Sequence, residues 1–551
     1  MTDAVHSYDF SQQAEAGRPR PRLRKGILMF AIAFGVLCVS GFVFREPLFE
    51  FAGSFLIPGP PSDLKPEDVI PAGLSDDERL MYTITHAGGQ AAKNAIKEIV
   101  AKHDQRYVGV LLEALIAAEN NPPGYPWLAH NHYYNGLMTL IGGPSMAPER
   151  LHKALSDNFL TWYTATALES PAGYTGWKGQ LFSRIDPVFG ELIYEGVPTA
   201  VRMEEVRALR AGFDVDHALD DPRMVSADEA AFLTPEEPVF GIEIDGDARA
   251  YPDRILQWHP VVNDVIGTTP VTLAYGAISG SAAAYDGRAS NGKVYTFGSA
   301  GLLYRSSELL FDQETQSVWC PLTGRPLFGA GVTLETRLNR LPVVTTTWEQ
   351  WRSQFPQTMV LDVPADSGRS YEPGAKFGQY FAAAEPVFSY GPHDDRLTPK
   401  SRVYGVEAGG EPKAYPLADL AAQRVVNDVL GGEPLVLACT RGTIPVKATV
   451  RAEGRRGRSR STEYNYDAGG EVRVYARGGN TFELGPDPDS LVDESGHAWQ
   501  VTTAALVPEN GETLPRINGV EAYWFAWSQH HVGTDLYGAT QPATSGSEAA
   551  E

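Results

Sequence analysis

The sequence predicts an α+β protein: an N-terminal transmembrane helix, a small all-α domain and two related β-rich modules. Three observations predict it. Residues 26–44 form an unbroken uncharged, mostly apolar run; residues 75–210 repeat apolar side chains at three- and four-residue spacing; and VFGIEIDGDARAYPDRILQWHPVVNDVIGTTPVTLA, from Val239 to Ala274, recurs without gaps 164 residues later as VYGVEAGGEPKAYPLADLAAQRVVNDVLGGEPLVLA, from Val403 to Ala438. At 551 residues the chain is too long for a single core, so several domains are expected.

Residues 1–25 are polar and read as a disordered cytoplasmic tail. The run GILMFAIAFGVLCVSGFVF, at about 1.5 Å per residue, comes close to the roughly 30 Å hydrocarbon core of a bilayer. Arg18, Arg20, Arg22, Arg24 and Lys25 precede it and only Arg45 directly follows, which places the N-terminus in the cytoplasm. The expectation is a single-pass protein of the inner (plasma) membrane whose bulk is periplasmic or extracellular. A cleaved signal peptide is the competing reading, but no small-x-small site follows the run. Residues 45–74, with PGPPSDLKP, read as a linker.

The 46 Lys and Arg face 68 Asp and Glu, a net charge of −22. Beyond residue 25, 41 basic and 65 acidic residues remain, so nucleic acid is excluded as a partner for the bulk of the chain. Of three cysteines, Cys38 lies in the apolar run, which leaves Cys320 and Cys439 as the one pair that a disulfide could join in the exported part.

DDERLMYTITHAGG, AAKNAIKEIVAKH and YVGVLLEALIAAE carry the helical spacing of the domain at 75–210. An acidic connector, 211–238, leads into the first β-rich module, 239–365. There VFGIEID and ARAYP read as strands around Asp245-Gly246, DRILQWH as a helical turn or two, and VVNDVIG and VTLAYG as a further strand pair. AAAYD, KVYTFG, GLLYR, ELLFD and SVWCPL read as further strands, with the small residues of FGSAGLLY, Phe297 to Tyr304, as a glycine-rich bend between strands; TTWEQWRSQFP reads as a helix before the closing strand MVLD. A linker at 366–402 precedes the second module, 403–538, and 539–551 form a tail. The second module closes in the same way at an offset of 176, with Trp348, Trp351, Thr358 and Val360 matched by Trp524, Trp527, Thr534 and Leu536. The twelve extra residues fall at TVRAEGRRGRSRS, a basic insertion that is either a solvated excursion or a contact for an acidic surface.

Two copies permit an internal comparison. Residues kept in both serve the fold; residues that differ are free to serve function. Gly241, Tyr251, Asn263 and Asp264 recur as Gly405, Tyr415, Asn427 and Asp428, whereas His259 faces Gln423 and Arg249 faces Lys413. A histidine titrates near neutrality, so His259 is the candidate acid or base, with Asp264 to orient it and Cys320 as a nucleophile if the fold brings the thiol within reach. Packing beside Trp258 is the plainer role for the same imidazole. Arg249, Tyr251, Asn263, Tyr304, Asp312 and Thr323 complete the candidate ligand-binding set. His130-Asn131-His132 gives half of a metal site if extended, without a partner at motif spacing, so no metal site is assigned.

DDPRMVSADEAAFLTPEEPVFGIEIDGDARAYPDRILQWHPVVNDVIG, FGSAGLLYRSSELLFDQETQSVWCPLTGRPLFG and TTWEQWRSQFPQT resemble, in order and spacing, the prokaryotic domain of unknown function 3179 family over about Asp220 to Asp362, with a weaker match over Val403 to Gly538. The resemblance implies no activity. Family members often carry cysteine after the VTLAY-like strand, where this chain has Gly276-Ala277-Ile278-Ser279-Gly280, so chemistry resting on those cysteines is not implied. The expectation is a membrane-anchored exported protein that binds a small molecule or an envelope partner through a polar pocket in the first module. The alternatives are an exported hydrolase- or transferase-type enzyme using His259, and a purely structural envelope protein.

Overall fold

A computed structural model describes residues 70–539 apart from 88, 120–126, 143–154, 167, 334, 366–367 and 455–457. The apolar run 26–44 lies outside the described residues, and among these no helix is long and apolar enough to cross a membrane. The fold is mixed α+β, with helices in the N-terminal part and a β-rich C-terminal part.

The first helix, Asp76–His86, begins where the sequence supplies a reciprocal cap: the Ser75 hydroxyl accepts the Glu78 N–H, and the Glu78 carboxylate accepts the Ser75 N–H at 2.9 Å. Gly89–Lys102, Val108–Glu119, Trp127–Leu140, Leu155–Thr164 and Tyr174–Phe182 follow. Positions 130 and 132 fall in the helix Trp127–Leu140 rather than in an extended segment. Glu113, with its side chain 2% exposed, joins this region to the sheets: it pairs with Lys178 at 2.7 Å and with Arg207, which sits on the strand Val206–Ala208. Each buried charge has a partner, as its desolvation requires.

Three five-stranded sheets follow. In the first, Val206–Ala208, Phe297–Tyr304, Ser307–Asp312, Val318–Cys320 and Arg325–Phe328 lie side by side. The expected bend at Phe297 to Tyr304 is therefore one continuous strand. Its glycines serve close approach instead: a Cβ on Gly298 would lie 2.3 Å from the Phe311 ring, and one on Gly301 2.0 Å from the Gly212 carbonyl. The other two sheets hold the repeated segment. Asp245 and Gly246 both have positive φ, the geometry of a tight hairpin turn, and they join strands paired from Val239↔Pro252 to Ile244↔Asp247.

The corresponding second-half strands pair from Val403↔Pro416 to Ala408↔Glu411. Side-chain contacts recur as well. Trp351 donates to Thr358 at 2.9 Å and packs where a Cβ on Gly241 would be; Trp527 donates to Thr534 at 3.0 Å and packs likewise on Gly405. Asn263 exchanges bonds with the Phe297 backbone, and Asn427 with that of Phe482.

The basic insertion lies within a two-stranded ribbon, Pro445–Gly454 paired with Arg458–Asp467, hydrogen-bonded to no other described strand. Residues 366–402 are not a loose linker, because Tyr380, Phe381, Phe388 and Tyr390 are buried. One apolar cluster runs from Leu80 through both β-rich parts to Leu536.

Candidate functional site

Cys320 ends the strand Val318–Cys320, and the chain returns through Pro321-Leu322-Thr323-Gly324 to Arg325–Phe328. Three successive carbonyls, of Cys320, Pro321 and Leu322, hold that return. Gly324 N–H donates to Cys320 O at 2.9 Å, Tyr285 OH to Pro321 O at 2.5 Å, and the Arg340 guanidinium to Leu322 O at 2.6 Å. Gly324 has φ +65, and a Cβ there would lie 2.7 Å from the Tyr285 ring, so the position suits glycine on both counts. Thr323 lies beside Cys320 in this return and helps to draw its thiol down. On the other side Trp319 Nε1 donates at 2.7 Å to Asp312, whose carboxylate also receives the Thr315 hydroxyl and the Ser317 N–H. Asp312 is fully buried, and its carboxylate ties Thr315, Ser317 and Trp319 together in the turn that precedes Cys320.

The partner of the thiol comes from the other half of the chain. His530 closes the helix Trp524–His530, with Nδ1 2.9 Å from the Ala526 carbonyl. A carbonyl only accepts, so this contact places the proton on Nδ1 and leaves Nε2 as an acceptor. Nε2 is buried and makes no aligned hydrogen bond of its own. The Cys320 thiol lies close enough to feel this imidazole. Burial pushes that thiol up, but its neighbours His530 and Thr323 more than offset it and bring it down to about 7. Tyr304 packs edge-on to the His530 ring at 5.7 Å, and both Tyr304 and Tyr285 lie close enough to feel the charge of the sulfur.

The other cysteine is a contrast within the same chain. Cys439 is equally buried, and burial, only partly opposed by Arg424, pushes its thiol up to about 11. Both cysteines are free thiols, so the possible Cys320–Cys439 disulfide is not present.

His259 stands elsewhere and is fully engaged. Its Nδ1 meets the His217 carbonyl at 3.1 Å, its Nε2 meets Tyr371 OH at 2.8 Å, and the ring is 6% exposed. Burial, helped by Arg369, holds its pKa below the usual value, so it is a neutral packed imidazole at physiological pH. It has no hydrogen bond to Asp264 or Cys320 among the described residues. Asp264 instead receives Tyr251 OH at 2.7 Å and the Arg249 guanidinium at 3.4 Å. The second half repeats that arrangement, with Asp428 receiving Tyr415 OH at 2.9 Å and pairing with Lys413 at 2.8 Å. Of the nine nominated residues, the structure thus brings together Cys320, Tyr304 and Thr323, with Asp312 beneath them. Arg249, Tyr251 and Asp264 form a separate tie between strands, and Asn263 a third.

A polar cavity lies between the halves, lined by Asp253, Tyr275, Arg402, Tyr466 and Glu521 among others. It contains none of the nominated residues.

A model of the family described as "protein of unknown function (DUF3179)" matches residues 217–534, more than half of the chain. The chain belongs to this family. No curated protein and no solved structure matches it significantly. The DUF3179 match contains both Cys320 and His530, so the thiol and its imidazole fall within one family region. Sequence reasoning missed His530, although a signal existed. At the offset of 176 that aligns the closing helices, His530 stands where the first half has Gln354, the same kind of difference that singled out His259.

Proposed function

We propose that the protein is a membrane-anchored, exported protein whose two β-rich modules arose by copying one unit, and that it performs thiol-based group transfer at Cys320 with His530 as the base. The observation that carries the chemistry is the placement of the His530 imidazole, its Nδ1 held on the Ala526 carbonyl, near the buried Cys320 thiol, which is drawn down to about 7. Near neutrality about half of such a thiol is thiolate, and that is the nucleophilic form. His530 Nε2 takes the thiol proton, the sulfur attacks an electrophilic carbon, and the imidazolium returns the proton to the departing group. The thioester so formed passes to water or to a second acceptor. This is the hydrolase or transferase class, with His530 in the role first considered for His259.

Cys320 is 1% exposed, while Thr323, Arg305 and His530 are only partly covered, so access is narrow and the substrate presents a small or extended reactive group. The copied-unit reading is supported by the repeated Trp–Thr, Tyr–Asp and Asn–backbone contacts described above. Within it, His530 replaces Gln354, and Cys320, next to Trp319, replaces Gln500 next to Trp499, since each Trp Nε1 donates to a carboxylate, Asp312 or Asp493. The reactive pair consists of two positions at which the copies differ.

Peptide-resolved alkylation of the folded protein with iodoacetamide tests the reading. Cys320 is modified with a midpoint near pH 7, Cys439 stays protected, and His530→Ala moves the Cys320 midpoint upward by a unit or more. Equal protection of both cysteines from pH 6 to 9 overturns it.

A further inference from the structure

His530 belongs to the second half and Cys320 to the first, so their registration depends on how the helix Trp524–His530 is held against the strand pair Phe297–Tyr304 and Ser307–Asp312. Only a few groups make that connection, and they converge on the residue before the imidazole. The Arg305 guanidinium donates to the Gln529 carbonyl, the Ser306 hydroxyl donates to the Gln529 side-chain oxygen at 2.6 Å, and the Gln529 amide donates to Ser389 at 2.9 Å. Arg305 is itself steered. Its Nε donates to Glu205 at 2.7 Å, and its backbone takes a left-handed φ of +52, uncommon for a residue with a side chain. That conformation sits in the two-residue turn between Tyr304 and Ser307, and the Arg305 guanidinium lies 5.0 Å from the Tyr304 ring that packs against His530.

We infer that Arg305 is a positioning residue for the thiol site: by gripping the Gln529 carbonyl from a turn of the first half, it sets the His530 imidazole in register with Cys320. The inference rests on the thiol reading above. It deepens that reading by naming what couples the two halves. Arg305 does not touch the sulfur, and the groups that face Cys320 are His530, Thr323, Tyr304 and Tyr285. Its effect must therefore travel through His530, which distinguishes positioning from a general electrostatic influence of one more cation.

The test is a double-mutant cycle on the pH midpoint of Cys320 alkylation by iodoacetamide in the full chain. Arg305→Gln raises the midpoint by about one unit in the wild-type background. It adds nothing when His530 is already alanine. Arg305→Lys, which keeps the charge but loses the planar fork, shows most of the rise. No rise with Arg305→Gln, or an equal rise in the His530→Ala background, overturns the inference while leaving the thiol site intact. An unshifted midpoint in His530→Ala alone overturns the thiol reading itself. Alkylation of Cys439 reports loss of the fold. If Arg305→Gln exposes Cys439, Ser306→Ala, which loosens the same Gln529, carries the identical expectation and the identical contradiction.

Discussion

Two equally buried cysteines in one chain are shifted in opposite directions, Cys320 down to about 7 and Cys439 up to about 11, because of their neighbours and not their depth. Cys320 is 1% exposed and Cys439 1% exposed, yet only the first has an imidazole and a threonine near its sulfur. The histidine picked out by sequence has the opposite character. With both ring nitrogens bonded inside the protein, His259→Ala removes two part-buried hydrogen bonds and the packing of a buried ring, and the expected cost is about 1–3 kcal/mol in urea unfolding with the Cys320 alkylation rate unchanged. A stable variant with an altered Cys320 rate would contradict this separation. Cys320 was legible in the sequence as a nucleophile only on the condition that the fold brought an imidazole within reach, because a thiol beside Trp319 and Pro321 is more often packed than reactive. Its partner was not, because His530 lies 210 positions away and meets it only when the two halves pack.

Strand pairs and closing helices were readable wherever local chemistry dictated them. Asp245-Gly246 specified its hairpin, and the Ser75/Glu78 pair specified a helix start. FGSAGLLY was misread because its glycines look like a bend in sequence, when they make room for the Phe311 ring and for the Gly212 carbonyl across a continuous strand. The same logic explains the most informative shared glycines. A Cβ at Gly241 would lie 2.3 Å from the Trp351 ring, and one at Gly405 2.2 Å from that of Trp527. Both rings are buried and hydrogen-bonded, so neither can yield cheaply. Gly241→Ala and Gly405→Ala are each expected to cost about 1–3 kcal/mol by chemical denaturation, and Gly405→Ala also lowers Cys320 reactivity, because Trp527 and His530 share one helix. An unchanged denaturation midpoint in either variant would contradict the packing argument.

Across the whole molecule, charge is buried where the halves meet. Burial pushes the Glu521 carboxyl up to about 7 against the pull of Arg402, which donates to it at 2.7 Å in the cavity that also holds Asp253. A folded-state pKa above the unfolded value of 4.5 means that folding takes up a proton between them. The stability from this group is therefore fully present below about pH 4.5 and lost as pH rises through 7, an effect on the order of 2–3 kcal/mol. Glu521→Gln is expected to flatten the fall in Tm between pH 5 and 7; an unaltered slope would contradict the assignment. That interface was invisible in the sequence because its residues come from segments as far apart as Asp253 and Glu521, whereas the mixed α+β class followed from periodicity alone.

The proposed thiol site draws Cys320 and His530 from distant parts of the chain, and the protonation state of a single sulfur reports on it. Titrating the absorbance of thiolate near 240 nm, as the difference between the wild-type protein and Cys320→Ser, measures that state without any reagent having to enter. A midpoint near pH 7 that moves to 8 or above in His530→Ala is the predicted result. A wild-type midpoint at or above 9, unmoved by loss of the imidazole, would contradict the account.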